Sequence, residues 1–288
     1  MIWHAPHTLQ EALDIRAERS VRVFAGGTDI FPERAARRSW GDAREEEYLD
    51  LAHVVDLREI AREGDFWRIG CLATWSDIGE TPMPAQFDGL RAAAREIGGP
   101  QIQNRATLVG NLCTASPAGD GAPCLIALDA DVELASSTGR RRLPVRDFIT
   151  GRRRTACRPD EIVTALLVPA RDRARSAFRK LGARRYQVIS IAMASAVVDT
   201  AASGRVTYAR VAVGACSEIA QRLPSLESAM AGQFLDASLS EMVKEVHVQH
   251  LSPLDDIRSS AIYRQAAAKQ LVRELILDLT APRQAEAA

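Results

Sequence analysis

Lysine is nearly missing from this 288-residue chain: only Lys180, Lys244 and Lys269 occur, and the other 34 of its 37 basic residues are arginine. A GC-rich genome accounts for such an excess as a whole. Neither sign of charge is in surplus, since 37 acidic residues balance the 37 basic ones. A chain of zero formal charge lacks the basic footprint of a nucleic-acid binder. No run of about 18 apolar residues occurs, so no transmembrane helix is expected. The opening Met1-Ile2-Trp3-His4-Ala5-Pro6 has no basic stretch leading into an apolar one, which argues against a cleaved signal peptide. Paired cysteine motifs are absent too. Cys71, Cys113, Cys124, Cys157 and Cys216 form an odd, widely spaced set without a C-x-x-C. They read as reduced thiols of a cytoplasmic protein and argue against a local zinc or iron–sulfur site. His247 and His250 stand three apart on an expected helix but have no third ligand in view. No Ser-His-Asp or Cys-His arrangement follows from spacing, so no catalytic side chain and no metal ligand is assigned.

What is present is an ordinary globular composition, 47% hydrophobic and 26% charged. The length favours two domains, or a large domain with a smaller one. Thr8 followed by Glu11 has the form of a capping box opening a first helix. Val21–Phe24 reads as a strand running into Gly26-Gly27. Glu33–Glu47 is charged and reads as helix or exposed loop, and 48–51 and 54–57 as strand or turn pieces. A strand is expected at 67–71, a helix start at 74–78, and a helix at 90–97 stopped by Gly98-Gly99-Pro100. The polar stretch Gln101–Asp120 reads as loop or short irregular strand. Strands are expected at 131–134, at the basic segment after Gly139, and at 161–168. Arg171–Arg175 reads as a domain boundary. Beyond it come strands at 176–180, 192–198 and 206–214, then helical periodicity at 237–250 and 257–279 and a frayed end at 284–288. Strands followed by helices make an α+β pattern. The four tryptophans (Trp3, Trp40, Trp67, Trp75) read as core or interface. The runs Arg140–Arg142 and Arg152–Arg154 read as solvated faces, or as contacts for an acidic partner or a nucleotide.

Two segments carry candidate chemistry. In Phe24-Ala25-Gly26-Gly27-Thr28-Asp29-Ile30 a strand ends in two glycines, which can turn with positive φ and aim consecutive N–H groups at one anion. The segment is neither a P-loop nor a G-x-G-x-x-G fingerprint, and an ordinary tight turn is the competing reading. The second, Thr107–Asp120, is dense in small hydrogen-bonding side chains. Either it is a long solvated loop or its polar groups meet a cofactor.

Together these segments resemble a known family. The order Ala25-Gly26-Gly27-Thr28-Asp29-Ile30, then Gln101–Asn111, then Ala115-Ser116-Pro117-Ala118-Gly119-Asp120, then Lys180-Leu181-Gly182-Ala183-Arg184, then Ser252–Arg264 is similar to the FAD-binding medium subunit of molybdenum hydroxylases, the xanthine dehydrogenase and carbon monoxide dehydrogenase group. The resemblance covers nearly the whole chain. It implies an FAD-binding domain of the vanillyl-alcohol-oxidase type over 1–172, with subdomains of about 1–57 and 58–172, followed by a smaller α+β domain over 173–288. By resemblance, Phe24, Ala25, Gly26, Gly27, Thr28, Asp29 and Ile30 line a pyrophosphate. Thr107, Gly110, Asn111 and Thr114 add hydrogen bonds, and Asp120 holds a hydroxyl of the cofactor. Ile97 falls near the flavin ring and Val163 near the adenine or a ring-facing wall. Lys180 falls where a cation would steady a reduced flavin. Two positions depart from the family: Val109 replaces the first glycine of Gly-Gly-Asn, and Gln103 replaces an arginine. The four-cysteine iron–sulfur loop of some relatives is not inserted here.

The resemblance implies an electron-transfer subunit. A large partner would hold the molybdenum cofactor, and a small partner would hold [2Fe-2S] clusters that feed FAD in this chain. FAD would reduce an external acceptor (NAD, oxygen or a carrier), in a dimer of heterotrimers. The rival readings are a stand-alone flavin oxidase and, motivated by Val109, a scaffold subunit that has lost FAD.

Overall fold

The computed structural model describes residues 2–42 and 44–281; the frayed end expected at 284–288 lies outside them. Among the described residues helices and strands are mixed along the chain, and the strands form three main sheets and a two-stranded hairpin. The first is parallel, with Glu47–Asp50 between Ile2–His4 and Arg22–Phe24. Parallel neighbours need crossovers, and the helices Leu9–Glu18 and Ile30–Ser39 supply them. At the first helix the Thr8 hydroxyl accepts from the Glu11 N–H at 3.2 Å, but the Glu11 carboxylate takes the N–H of His7 rather than that of Thr8, so the expected capping box is half made. The charged segment after residue 30 resolves into helix Ile30–Ser39 and then strand Glu47–Asp50.

The second sheet is antiparallel in the order Ile60–Glu63, Phe66–Gly70, Ile162–Pro169, Asp131–Ser136, Gly139–Pro144. Five helices fall between its second and fourth strands in the chain: Trp75–Glu80, Asp88–Glu96, Pro100–Gln103, Leu108–Thr114 and Gly121–Ala127. Two of them correct the expectation of a loop over Gln101–Asp120. Pro100 stands at the first position of Pro100–Gln103, where its missing N–H costs nothing. Thr107 caps Leu108–Thr114 by accepting from the Gly110 N–H at 2.9 Å. A full capping box, Thr74 with Asp77, starts Trp75–Glu80.

The basic strand Gly139–Pro144 is held within the chain. Arg140 and Arg142 approach the buried Glu133 carboxylate at 3.5 Å, with Arg68 at 2.9 Å, while Arg141 pairs with Glu161 at 2.6 Å. Burial works against the charged form of Glu133, but bonds from Thr164 and Arg68 hold its carboxyl below the usual range.

The third sheet is antiparallel, in the order Arg175–Leu181, Ala192–Thr200, Val206–Gly214, Gln221–Arg222. Successive side chains of a strand face opposite ways, and here both faces are covered. Met193 and Val197 join the core that includes Leu90 and Leu125 of the helices Asp88–Glu96 and Gly121–Ala127. Ala192, Ala194, Ala196 and Val198 join the core beneath the long helix Ala261–Thr280, with Leu271, Val272, Leu275 and Ile276. That helix begins at the Ser260 cap, and the helical stretch expected at 237–250 is a 3-10 turn Ala237–Met242 followed by the short helix Glu245–Val248. Asp129 pins the second sheet's approach to the third: its carboxylate accepts from Tyr208 at 2.7 Å and from Arg210 and Arg222 at 2.8 Å.

Candidate functional site

The Gly26-Gly27 turn joins the edge strand of the parallel sheet to helix Ile30–Ser39. Gly27 has φ of 74°, and a Cβ there would strike the rings of Phe24 and Phe31. Gly26 is required for a different reason. A Cβ on it would lie 2.0 Å from the carbonyl oxygen of Arg105, just ahead of the second motif. The two motifs also bond directly, the Thr114 hydroxyl donating to Asp29 Oδ2 at 3.0 Å. The structure therefore packs both segments against one another along a single cleft of about 1900 Å³.

Ala25, Gly26, Gly27, Thr28, Asp29 and Ile30 line this cleft, and so do Ile97, Thr107, Gly110, Asn111, Thr114 and Val163. Phe24, Asp120 and Lys180 are not on its wall. Phe24 is buried against Trp3 and Phe31. Asp120 and Lys180 meet each other: Lys180 Nζ is 2.6 Å from Asp120 Oδ2, and the Ser190 hydroxyl donates to Oδ1 at 2.7 Å. Both side chains of that pair are buried. Burial raises the Asp120 carboxyl, opposed by the Lys180 ammonium and the Ser190 hydroxyl.

Several polar side chains of the cleft build the site before they could touch any ligand. Thr107 caps its helix, Asn111 Oδ1 accepts from the Gly121 N–H at 3.2 Å, and Gln103 Nε2 donates to the Ile97 carbonyl at 3.0 Å. Gln103 thus fixes the residue expected beside a flavin ring. Val109 lies inside helix Leu108–Thr114 with its side chain buried, and its φ is not positive. A β-branched residue is readily accommodated there, so the departure from glycine leaves the local backbone intact.

The cleft fits a dinucleotide. Its volume exceeds the roughly 300–1,000 Å³ of drug-sized sites. Among the described residues, the backbone N–H groups of Gly26, Gly27, Thr28, Asp29 and Ile30 have no protein acceptor, and free N–H groups at a glycine turn ahead of a ten-residue helix suit a phosphate. Trp75, unremarked as a site residue in the sequence, also lines the cleft, and its buried indole N–H has no partner. The capping box before it was the available signal. Apolar side chains of Leu51, Ile97, Ile102 and Val163 offer a surface for a flat ring. Burial pushes the Cys71 thiol up to about 12 and the Cys157 thiol to about 11, so these two cleft cysteines stay protonated at neutral pH and are poor nucleophiles. Of the two histidines considered for a metal, His247 Nδ1 accepts from the Lys244 N–H at 3.1 Å and His250 Nε2 donates to the Arg222 carbonyl at 2.9 Å.

Comparison with known proteins agrees with this geometry. Residues 1–171 match the model of the FAD binding domain in molybdopterin dehydrogenase, and residues 176–279 match the carbon monoxide dehydrogenase flavoprotein C-terminal domain. The chain is 32% identical to the nicotine 6-hydroxylase medium subunit of Paenarthrobacter nicotinovorans, over 95% of each chain. It is 29% identical to the nicotinate dehydrogenase FAD-subunit of Eubacterium barkeri, over 96% of this chain and 94% of that one. Among solved structures, the carbon monoxide dehydrogenase of Hydrogenophaga pseudoflava superposes with a TM-score of 0.85 at 26% identity, over 96% of both chains. Quinoline 2-oxidoreductase of Pseudomonas putida 86 does so at 0.86 and 25% identity, again over 96% of both chains. With a flavin-sized cleft built from the two motifs and both family models matched in order, the chain belongs to the FAD-binding subunits of the molybdopterin dehydrogenases.

Proposed function

We propose that this chain is the FAD-carrying electron-transfer subunit of a heteromeric molybdenum-containing hydroxylase or dehydrogenase. The observation that carries the reading is the junction of the two glycine-bearing segments along one cleft, through the Gly26–Arg105 contact and the Thr114–Asp29 bond. FAD, when bound, supplies the capacity to take electrons from a donor and hand them to an acceptor. The chain's own residues bind and orient it. Free N–H groups of Gly26 to Ile30 hold the pyrophosphate, Asn111 and Thr114 add side-chain bonds, and Ile97 and Val163 flank its rings. Asp120 and Lys180 enter this reading as a mutually neutralising pair rather than as a free acceptor and a free cation.

The rest of the proposal draws on the relatives, which are named as medium or FAD subunits of larger enzymes. A large partner would hold the molybdenum cofactor and oxidise the substrate. A small partner would bring electrons through [2Fe-2S] clusters, and FAD here would pass them to NAD, oxygen or a carrier. We place the assembly as a dimer of heterotrimers in the cytoplasm, a setting that suits five cysteines all free of disulfides. We also assign the flavin domain the vanillyl-alcohol-oxidase type of fold, with 1–172 divided near residue 57 and the smaller domain at 173–288.

Purification of the chain from its own host tests the heteromeric reading. It should bring down a large chain containing molybdenum and a small chain containing iron and sulfide. A chain that purifies alone and oxidises an alcohol unaided would overturn it in favour of a stand-alone oxidase.

A further inference from the structure

The arginine run 152–154 is divided by the structure into three different environments. The backbone N–H of Arg152 donates to Glu218 Oε1 at 2.9 Å, and Arg154 Nη2 lies 3.8 Å from the same oxygen. Arg153 stands at the turn of the small hairpin made by Ile149–Gly151 and Arg154–Thr155, with φ of 58°. A left-handed backbone is uncommon for a residue with a side chain, at a cost of roughly 1–2 kcal/mol relative to glycine. It is held there by its own N–H, which donates to the Ala115 carbonyl at 2.9 Å. Ala115 closes helix Leu108–Thr114 and is itself left-handed, with φ of 45°. Two left-handed residues are thus bonded to one another, one step along the chain from Thr114 and its bond to Asp29.

This arrangement sets the Arg153 side chain on the cleft wall, where, among the described residues, it has no ion-pair or hydrogen-bond partner. Three neighbouring arginines of the cleft have partners for their side chains. Arg22 pairs with Glu33 at 2.6 Å, Arg19 lies 3.7 Å from Glu47, and Arg16 donates to the Val21 carbonyl. Arg158 gives Glu161 only its backbone N–H, at 2.7 Å, and among the described residues its guanidinium is as unpartnered as that of Arg153; what distinguishes Arg153 is the left-handed turn anchored to Ala115. A pyrophosphate carries full negative charge, and the glycine turn offers only backbone dipoles. A guanidinium matches phosphate oxygens with two parallel N–H bonds.

We propose that Arg153 is a phosphate-binding residue, held by its strained hairpin to clamp the pyrophosphate of a dinucleotide in the cleft. The proposal rests on the flavoprotein reading and adds a residue to it. The pyrophosphate is either that of the resident FAD or that of a dinucleotide acceptor such as NAD.

The Arg153→Gly variant of the full chain separates the side chain from the backbone, because glycine takes the same left-handed conformation without strain. Its thermal midpoint should equal or exceed that of the wild type. Two titrations follow: FAD and riboflavin binding by flavin fluorescence at low and high salt, and bleaching of the FAD-saturated chain by increasing NADH. If the clamp serves FAD, its Kd rises roughly 10- to 100-fold at low salt, riboflavin binding is unmoved, and Arg153→Lys retains part of the affinity. If it serves the acceptor, FAD binding is unmoved and the NADH concentration for half-maximal bleaching rises by a similar factor. Arg153→Gly matching the wild type in both titrations, as the Arg152→Ala control should, overturns the proposal while leaving the flavoprotein reading standing. A folded wild-type chain that binds no FAD overturns that reading itself.

Discussion

Replacing Gly26 with alanine should separate the two halves of the cleft. The added Cβ would sit 2.0 Å from the Arg105 oxygen, 2.8 Å from its carbonyl carbon and 3.0 Å from Ala106 Cα. All three are backbone atoms, so no rotamer change relieves the clash. A carbon–oxygen contact normally settles at about 3.3 Å or more, so the segments must part by more than about 1 Å. Overpacking of this kind costs about 1–3 kcal/mol. The parting also strains the 3.0 Å bond from Thr114 to Asp29, adding about 1 kcal/mol if it is lost. At roughly 2–4 °C per kcal/mol for a chain of this size, a total of about 2–4 kcal/mol should lower the thermal midpoint of the flavin-free protein by about 4–16 °C. FAD affinity should fall at least about tenfold, since the displaced segments both line the cleft. Thermal unfolding with and without FAD, together with a flavin titration, reads both effects. A Gly26→Ala protein with wild-type midpoint and wild-type affinity would mean that the close contact between Gly26 and Arg105 does not exist in solution.

Other perturbations have equally definite outcomes. Val109→Gly should lower the midpoint, mainly through the loss of a buried side chain and by roughly 0.3–0.5 kcal/mol through helix preference, with no gain in FAD affinity; tighter FAD binding would instead favour a scaffold that has lost its flavin. Lys180→Met strands the buried Asp120 carboxylate and should cost about 3–5 kcal/mol. Chemical denaturation should then show the double variant Lys180→Met/Asp120→Asn recovering part of the loss, whereas simple additivity would contradict the pairing. The Asp256 carboxyl is drawn down to about 2, first by the backbone N–H of Arg258 and also by Arg264. A depressed carboxyl contributes stability that is complete above its ordinary value near 3.8 and is lost as the pH falls toward about 2. Asp256→Asn should therefore flatten that part of the acid limb in a plot of midpoint against pH; an unchanged limb would count against it.

The parts of this structure that were legible in the sequence are those set by short-range pattern. Val21–Phe24 running into two glycines reads as a strand and turn because β-branched and aromatic residues give way to residues free to take positive φ. The strands around Met193 and Val211 are legible because a two-residue period of small and branched apolar side chains serves a sheet buried on both faces. The helices Pro100–Gln103 and Leu108–Thr114 are hidden because four and seven residues are too few to show a helical period, and the small polar residues around them resemble a loop. Their caps, Pro100 and Thr107, were the readable clues. The need for glycine at position 26 comes from a carbonyl 79 residues away in sequence. The pairing of Asp120 with Lys180 spans 60. Neither leaves a local signature. Arg153 looked like any member of a basic run, and only the hairpin's backbone distinguishes it from Arg152 and Arg154.

If FAD occupies the cleft built by the two glycine-bearing segments, the purified, folded complex must show it in its visible absorbance. A flavin spectrum is expected, with acid release yielding FAD rather than FMN in a one-to-one ratio to this chain. A well-folded complex with its partner subunits present and no stoichiometric flavin would contradict that occupancy.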